Sequence, residues 1–295
     1  MKYYSLLIML TLNAFAEPMA IYGEDSRKDV YAETNPLFVT LAKSTAAMID
    51  KTKIKTTGNE SHITGKALGD MFNLCPEERF RNQPSAANCS GTLVAPDVIM
   101  TAAHCYDLAK QTCKDYVWVF DYKVAKENQA TVTVSSDKVY ECQEVILKEM
   151  NLKEGFDHAL IKLKRKVTDR DFAQFRSSGT IAVKDSLVLI GHPSGLPTKI
   201  SGDAFVLEVL KNSFLTNVDA FSINSGSGVF NATTGEVEGI LSSGRADYDG
   251  KGNCSSLMKY DMSEGNESVV KPEKVKAFLK TYAQKRTLLQ RVLRR

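Results

Sequence analysis

Three stretches of the chain carry residues that could do nucleophilic chemistry. The first runs from Cys89 to Cys105, reads CSGTLVAPDVIMTAAHC, and places His104 directly beside the second cysteine. The second is Gly155-Phe156-Asp157-His158-Ala159-Leu160-Ile161-Lys162-Leu163, a carboxylate at the head of an apolar strand. The third is Ile223-Asn224-Ser225-Gly226-Ser227-Gly228, where two serines compete. A serine hydroxyl is a poor nucleophile until a base takes its proton. An imidazole held within hydrogen-bond reach is the usual base. A carboxylate on the far ring nitrogen fixes the tautomer and stabilises the imidazolium. Taken singly, the first two stretches have plainer explanations: a half-buried histidine near a structural disulfide, and a strand-capping aspartate.

The elements that would position these groups are strands. Thr92-Leu93-Val94-Ala95 and Val98-Ile99-Met100-Thr101 flank Pro96-Asp97, a turn pair in which Pro presets φ and Asp can bond its own backbone. Further strand-like runs fall at 117–120, 130–134, 138–140, 144–147, 159–163, 186–190, 203–209, 228–230 and 237–241, separated by polar turns. Short strands at this spacing indicate a sandwich or barrel, and no helix alternates with them as a parallel α/β sheet would require. A helix is expected at about 37–54, from the apolar positions Leu41, Ala42, Ala46, Met48 and Ile49. A second opens at Pro272-Glu273-Lys274, with Val275, Phe278, Leu279 and Tyr282 as its docking stripe and a basic outer face.

The Cys-to-Cys run with its Ala-Ala-His-Cys ending resembles the histidine loop of the trypsin-like, chymotrypsin-fold serine proteases. Asp-x-Ala-Leu-x-x-Leu at 157–163 and Asn-Ser-Gly-Ser at 224–227 match the family's other two motifs, in the order His, Asp, Ser. The subtilisin and α/β-hydrolase orders do not fit. The resemblance covers roughly 75–254 and implies an all-β fold of two antiparallel Greek-key barrels with a C-terminal helix. It implies a triad of His104, Asp157 and nucleophile Ser225, an oxyanion hole from the backbone N–H groups of Ile223 and Ser225, and a Cys89–Cys105 disulfide. For the remaining cysteines we expect Cys113–Cys142 and Cys75–Cys254. Ser242, Ser243 and Gly244 correspond to the strand edge that binds the substrate backbone.

The chain also departs from the family. Ile223 stands where the family has the glycine of the oxyanion hole, a position whose backbone suits glycine better than a β-branched residue. This keeps open a second function, a catalytically impaired homologue acting as a binding protein. A non-protease esterase is a weaker third. Asn224 replaces the aspartate that pairs with a newly cut N-terminal amine in trypsin-type zymogens, so activation should not depend on such an insertion. Asp219 lies where trypsin has its pocket-floor aspartate. It either confers cleavage after Lys or Arg or caps the local backbone. Ile21-Tyr22-Gly23-Glu24-Asp25-Ser26-Arg27 resembles the opening of the bacterial glutamyl-endopeptidase-like branch. Leu241 replaces that branch's glutamate-reading histidine, which argues against glutamate specificity.

Residues 1–16 read as a signal peptide, with a basic start, a short apolar run and a small-residue cut site after Ala16. Residues 17–74 are expected as an N-terminal segment that is a working N-terminus, a propeptide or a surface loop. The first barrel is expected over 75–180 and the second, with its helix, over 181–295. Formal net charge is +3 and charged residues make up 25 %, so no nucleic-acid partner is implied. All six cysteines follow the leader, which favours three disulfides in an exported protein, secreted or periplasmic. No CxxC or paired Cys/His spacing calls for a metal, and no cofactor is expected. The expected partner is a protein or peptide substrate of a monomer with no membrane span.

Overall fold

The computed structural model describes residues 21–106, 113–245, 247–250 and 252–292. The expected leader over 1–16 lies outside them. Two six-stranded antiparallel barrels dominate. The first closes in the order Tyr116–Phe120, Val139–Asn151, Phe156–Leu163, Val98–Thr101, Ala87–Ala95 and Thr45–Asp50, which pairs back to Tyr116–Phe120. The second runs Ser186–Gly191, Gly228–Asn231, Val237–Ser243, Glu267–Val270, Ser213–Thr216 and Lys199–Val209, closed by the pairing of its first and last members. Counted along the chain, both barrels follow the same route: first, second, third, sixth, fifth, fourth. The expected all-β, double-barrel class with a C-terminal helix, Glu273–Val292, is thus what the chain adopts.

Alternation along the strands sorts side chains between cores. In Ser186–Gly191, Leu187 and Leu189 enter the second barrel with Phe214, Val229 and Val269. Val188 and Ile190 face the other way, into the cluster that fills the first barrel and the space between the two. The same period of two splits Tyr116–Phe120. Trp118 and Phe120 fill the first barrel, whereas Val117 and Val119 lie under a three-stranded sheet of Val132–Ser135, Glu60–Ile63 and Ile54–Thr57. Val275 of the C-terminal helix is fully buried, and Phe278 and Leu279 pack beside it.

The expected helix at 37–54 is corrected. A helix covers only Pro36–Ala42, with Pro36 in its first turn and Asn35 Oδ1 accepting from the Leu37 N–H. The chain then becomes the strand Thr45–Asp50. Ala46 and Met48 point into the first barrel, and Ala47 and Ile49 point out beneath the small sheet. Both faces are buried and both edges are paired, so tertiary context overrides the helix preference of Ala and Met. The expected start of the first barrel at 75 moves with it, because Thr45–Asp50 is needed to close that barrel. The run expected as two strands at 138–140 and 144–147 is one strand, Val139–Asn151, irregular in register.

The N-terminal segment is built into the second barrel. Arg27–Asp29 pairs antiparallel with Lys199–Ser201. Asp29 Oδ1 lies 2.7 Å from Lys199 Nζ, both side chains being almost wholly buried. Lys199 Nζ donates to Gln83 Oε1 at 2.8 Å, and Gln83 Nε2 donates to Asp29 Oδ2 at 2.9 Å. Removing one member strands a buried charge, which costs ~3–5 kcal/mol. Asp29→Ala should lower unfolding stability by that amount in urea titration. A loss below ~1 kcal/mol would mean that the segment is dispensable to the barrel.

Candidate active site

His104 and Asp157 meet because their strands are neighbours. Val98–Thr101 pairs with Phe156–Leu163 in a register that sets Thr101 opposite Ala159. His104 follows in the tight turn Ala103–Tyr106, and Asp157 lies two residues before Ala159. The two ends therefore face each other. The Asp157 carboxylate accepts from the His104 backbone N–H at 2.9 Å and from its Nδ1–H at 2.6 Å. Ser242 Oγ donates to the same Oδ2 at 2.6 Å. Asp157 is fully buried. Burial pushes its carboxyl up, but hydrogen bonds from His104 and Ser242 outweigh that and hold it below the ordinary carboxylate range. An ionised Asp157 on Nδ1–H leaves Nε2 with the lone pair, the state a general base requires.

Ser225 lies in the turn ahead of the strand Gly228–Asn231 and is held from both barrels. Its carbonyl accepts from the Ser90 N–H at 2.9 Å, and the next N–H, of Gly226, donates to the Leu241 carbonyl at 2.8 Å. Gly226 has φ +87°, and a Cβ there would run into the Ser90 carbonyl and Thr101 Oγ1, so only glycine lets the turn come this close. Ser225 Oγ donates to the Ser242 carbonyl at 3.4 Å. His104 and Ser225 line one cleft of about 380 Å³, together with Ile223, Ser242, Ser243 and Gly244. Ser227, the competing serine, is buried, and its hydroxyl donates to the Asn224 side chain at 2.7 Å. Asn224 is thereby taken up locally, and the Ile21 N–H goes instead to the Met258 carbonyl at 3.1 Å.

Ile223 has φ +72°, the left-handed region that a β-branched residue seldom enters. Among the described residues, neither its N–H nor that of Ser225 has a hydrogen-bond partner. The preceding loop is pinned from behind. Asp247 Oδ2 accepts from the Ser222 N–H at 2.7 Å, the Ser222 carbonyl accepts from the Ser194 N–H at 2.7 Å, and Arg27 stacks 4.0 Å from the Phe221 ring.

Asp219 is not a cleft residue, which corrects its expected place at the pocket floor. Its carboxylate accepts from the Tyr22 N–H at 2.9 Å, the Ser26 N–H at 2.8 Å and the Ser26 hydroxyl at 2.6 Å. Here the plainer alternative, a carboxylate satisfied by backbone, describes it. His158 points away from the cleft and packs edge-on to Phe156. His192 is buried, with Nδ1 against the Leu196 carbonyl at 3.0 Å. All three expected disulfides are present: Cys89–Cys105, Cys113–Cys142 and Cys75–Cys254. The sulfurs nearest His104 are thus tied to each other and offer no thiolate to a metal.

Sequence reasoning missed Glu267, Asp247 and Tyr22, which shape the cleft or its support. A signal existed for Glu267. It heads the run Glu267-Ser268-Val269-Val270, a carboxylate before an apolar strand, which is the pattern that singles out Asp157.

A profile of the trypsin-like peptidase domain family matches residues 89–240, a span that holds His104, Asp157 and Ser225. Chymotrypsin-like elastase family member 1 of Canis lupus familiaris is 25 % identical over 182 residues, 58 % of this chain and 66 % of that protein. The Macaca fascicularis protein of the same name is 27 % identical over 183 residues, covering 59 % and 65 %. The chain thus spans about two thirds of the length of the curated relatives it matches. The crystal structure of Rv3671c from M. tuberculosis H37Rv, an inactive mutant form, superposes with a TM-score of 0.47 at 13 % identity, over 84 % of this chain and 91 % of that one. With the profile matching just over half of its length, the chain belongs to the trypsin-like peptidase domain family.

Proposed function

We propose that the protein is an exported serine endopeptidase that cleaves peptide bonds through an acyl-enzyme. The observation that carries this reading is the buried Asp157 carboxylate, which holds the backbone and ring of His104 at once beside a cleft that Ser225 also lines. The Ser225 hydroxyl rests on the Ser242 carbonyl. Catalytic hydrogen bonds are often long before substrate arrives, so this parked position is compatible with attack. His104 Nε2 takes the Ser225 proton as Oγ adds to the substrate carbonyl, and later delivers it to the leaving amine. Water then repeats the sequence on the acyl-enzyme. The oxyanion is received by the free N–H groups of Ile223 and Ser225.

The conformation of Ile223 favours this reading over a catalytically impaired binding protein. A left-handed φ costs an L-residue roughly 1–2 kcal/mol, and such strain persists only where the surroundings impose it. Here the bonds from Asp247 and Ser194 to Ser222 impose it. The backbone shape that glycine would give freely is therefore kept with isoleucine in place.

Three disulfides fit an oxidising compartment, secreted or periplasmic, and no described helix is long and apolar enough to cross a membrane. Because Arg27–Asp29 and Thr45–Asp50 are barrel-associated strands, we assign residues 21–74 to the working enzyme rather than to a propeptide. Membership of the glutamyl-endopeptidase-like branch gains no support, since an apolar Leu241 lines the cleft where a glutamate-reading histidine would stand.

A fluorophosphonate should label the disulfide-intact protein covalently, and Ser225→Ala should abolish labelling. A folded wild type that resists the reagent counts against the protease reading. Asp157→Asn should lower kcat by about 10⁴ at neutral pH, because the ring tautomer is then wrong. Ile223→Gly should be more stable than Ile223→Ala by ~1 kcal/mol in denaturant unfolding, since alanine keeps the strain that glycine removes. Equal stability would place the backbone outside the left-handed region in solution.

A further inference from the structure

The cleft contains a carboxylate that the triad does not use. Glu267 lines the same cleft as Ser225 and is only 2 % exposed. Its Oε1 accepts from the Tyr22 hydroxyl at 3.0 Å and from the Arg245 N–H at 3.3 Å. Its Oε2 has no hydrogen-bond partner among the described residues. This second oxygen fills the space beside Gly244, where a Cβ would land on it. Ala220, Phe221 and Ser222 line the same cleft. A carboxylate oxygen in a cleft wall with no donor from the described residues can accept one from a ligand. Asp219, in contrast, already has its donors and opens away from the cleft.

We infer that Glu267, rather than Asp219, selects the substrate side chain preceding the cut, and that it selects a cationic one, lysine or arginine. The inference rests on the protease reading above and names its specificity residue. An ammonium or guanidinium entering the cleft would donate to Oε2 in a charge-assisted bond. An apolar side chain would give Oε2 no donor, and an acidic one would meet a like charge once Glu267 is ionised. The fold fixes Glu267 from two sides. Tyr22, in the strand Ile21–Tyr22, holds Oε1 from behind, and the Ser243–Ser268 pairing sets Glu267 next to the strand edge expected to carry the substrate backbone.

The site also has a pH signature. Burial pushes the Glu267 carboxyl up to about 8, helped by Asp247 and opposed by the Tyr22 hydroxyl and by Arg245. Without a cation beside it, Glu267 holds its proton at neutral pH and loses it as the pH rises through that value. A cationic side chain binds the ionised form, so kcat/KM for such substrates should keep rising through pH ~8 after the rate with neutral substrates has levelled off.

The test uses peptides that differ only in the residue before the cut (Lys, Arg, Leu, Ala or Glu), fluorophosphonate labelling, and fluorescence titration of the full chain with 4-aminobenzamidine. Wild type should prefer Lys and Arg. The isosteric Glu267→Gln should lower kcat/KM for those two, and amidine affinity, by about 10–100-fold. It should still take the label, and the ratio of its rates with Lys and Arg substrates to its rates with Leu and Ala substrates should fall by at least about tenfold. A labelled wild type with no cationic preference, or a preference that survives in Glu267→Gln, overturns this inference alone. A wild type that takes no label and cleaves nothing overturns the protease reading. The amidine titration then judges the site by itself, and an affinity unmoved by Glu267→Gln rejects it.

Discussion

The buried charge of Asp157 is the constraint on which the rest of the site depends. A carboxylate with no exposure must be met by donors from the protein, and its three donors come from two places in the chain. The His104 backbone and ring belong to the turn that follows a strand of the first barrel, and the Ser242 hydroxyl belongs to a strand of the second. Satisfying one anion therefore fixes the tautomer of the imidazole and ties the two barrels together at the floor of the cleft. The Ser225 turn obeys the same logic, with its carbonyl on Ser90 of the first barrel and its neighbour Gly226 on Leu241 of the second. The groups that would react are thus held by bonds that cross the inter-barrel groove.

A second layer lies behind the first. The N-terminal strands Ile21–Tyr22 and Arg27–Asp29 run beneath the loop that ends at Ser225. Ile21 packs on Phe221, Arg27 stacks on the same ring, and Tyr22 bonds to Asp219 through its N–H and to Glu267 through its hydroxyl. In a zymogen-type arrangement a single new ion pair would organise this loop. Here the neutral Asn224 bonds to Ser227, and the work is spread over a segment that is part of the sheet. The strain at Ile223 is held by a separate pair of bonds, from Asp247 and Ser194 to Ser222. A loop pinned at Ser222 from two sides can keep a residue in a backbone region it would otherwise leave.

The fold shows a regularity that the sequence hides. Both barrels thread their strands in one order, yet no internal repeat is visible in the residues. A barrel asks for alternation and turn chemistry, and many residue choices meet that demand, so topology can repeat where sequence does not. For the same reason the strand runs at 117–120, 186–190 and 237–241 were legible in advance, whereas Ser213–Thr216 and Glu267–Val270 escaped notice. Those two are short, and each begins with a polar residue that reads as loop.

What the sequence determined by itself was chemical: His104 beside a cysteine, a carboxylate before an apolar strand, a serine in a glycine-rich turn, and an alternation that excludes a helical fold. These are local properties, carried by residues close together in the chain. What only the tertiary structure decided was which groups answer one another. Asp219 and Glu267 are both carboxylates of the second half of the chain, and the local pattern that marks Glu267 as the head of a strand does not say which of the two faces the cleft. The decision comes from Tyr22, 197 residues from the one and 245 from the other. Thr45–Asp50 is a strand, despite its helix-forming residues, because two distant strands pair with its edges. Periodicity reports that a face is buried, but the partner that buries it is supplied by the folded chain.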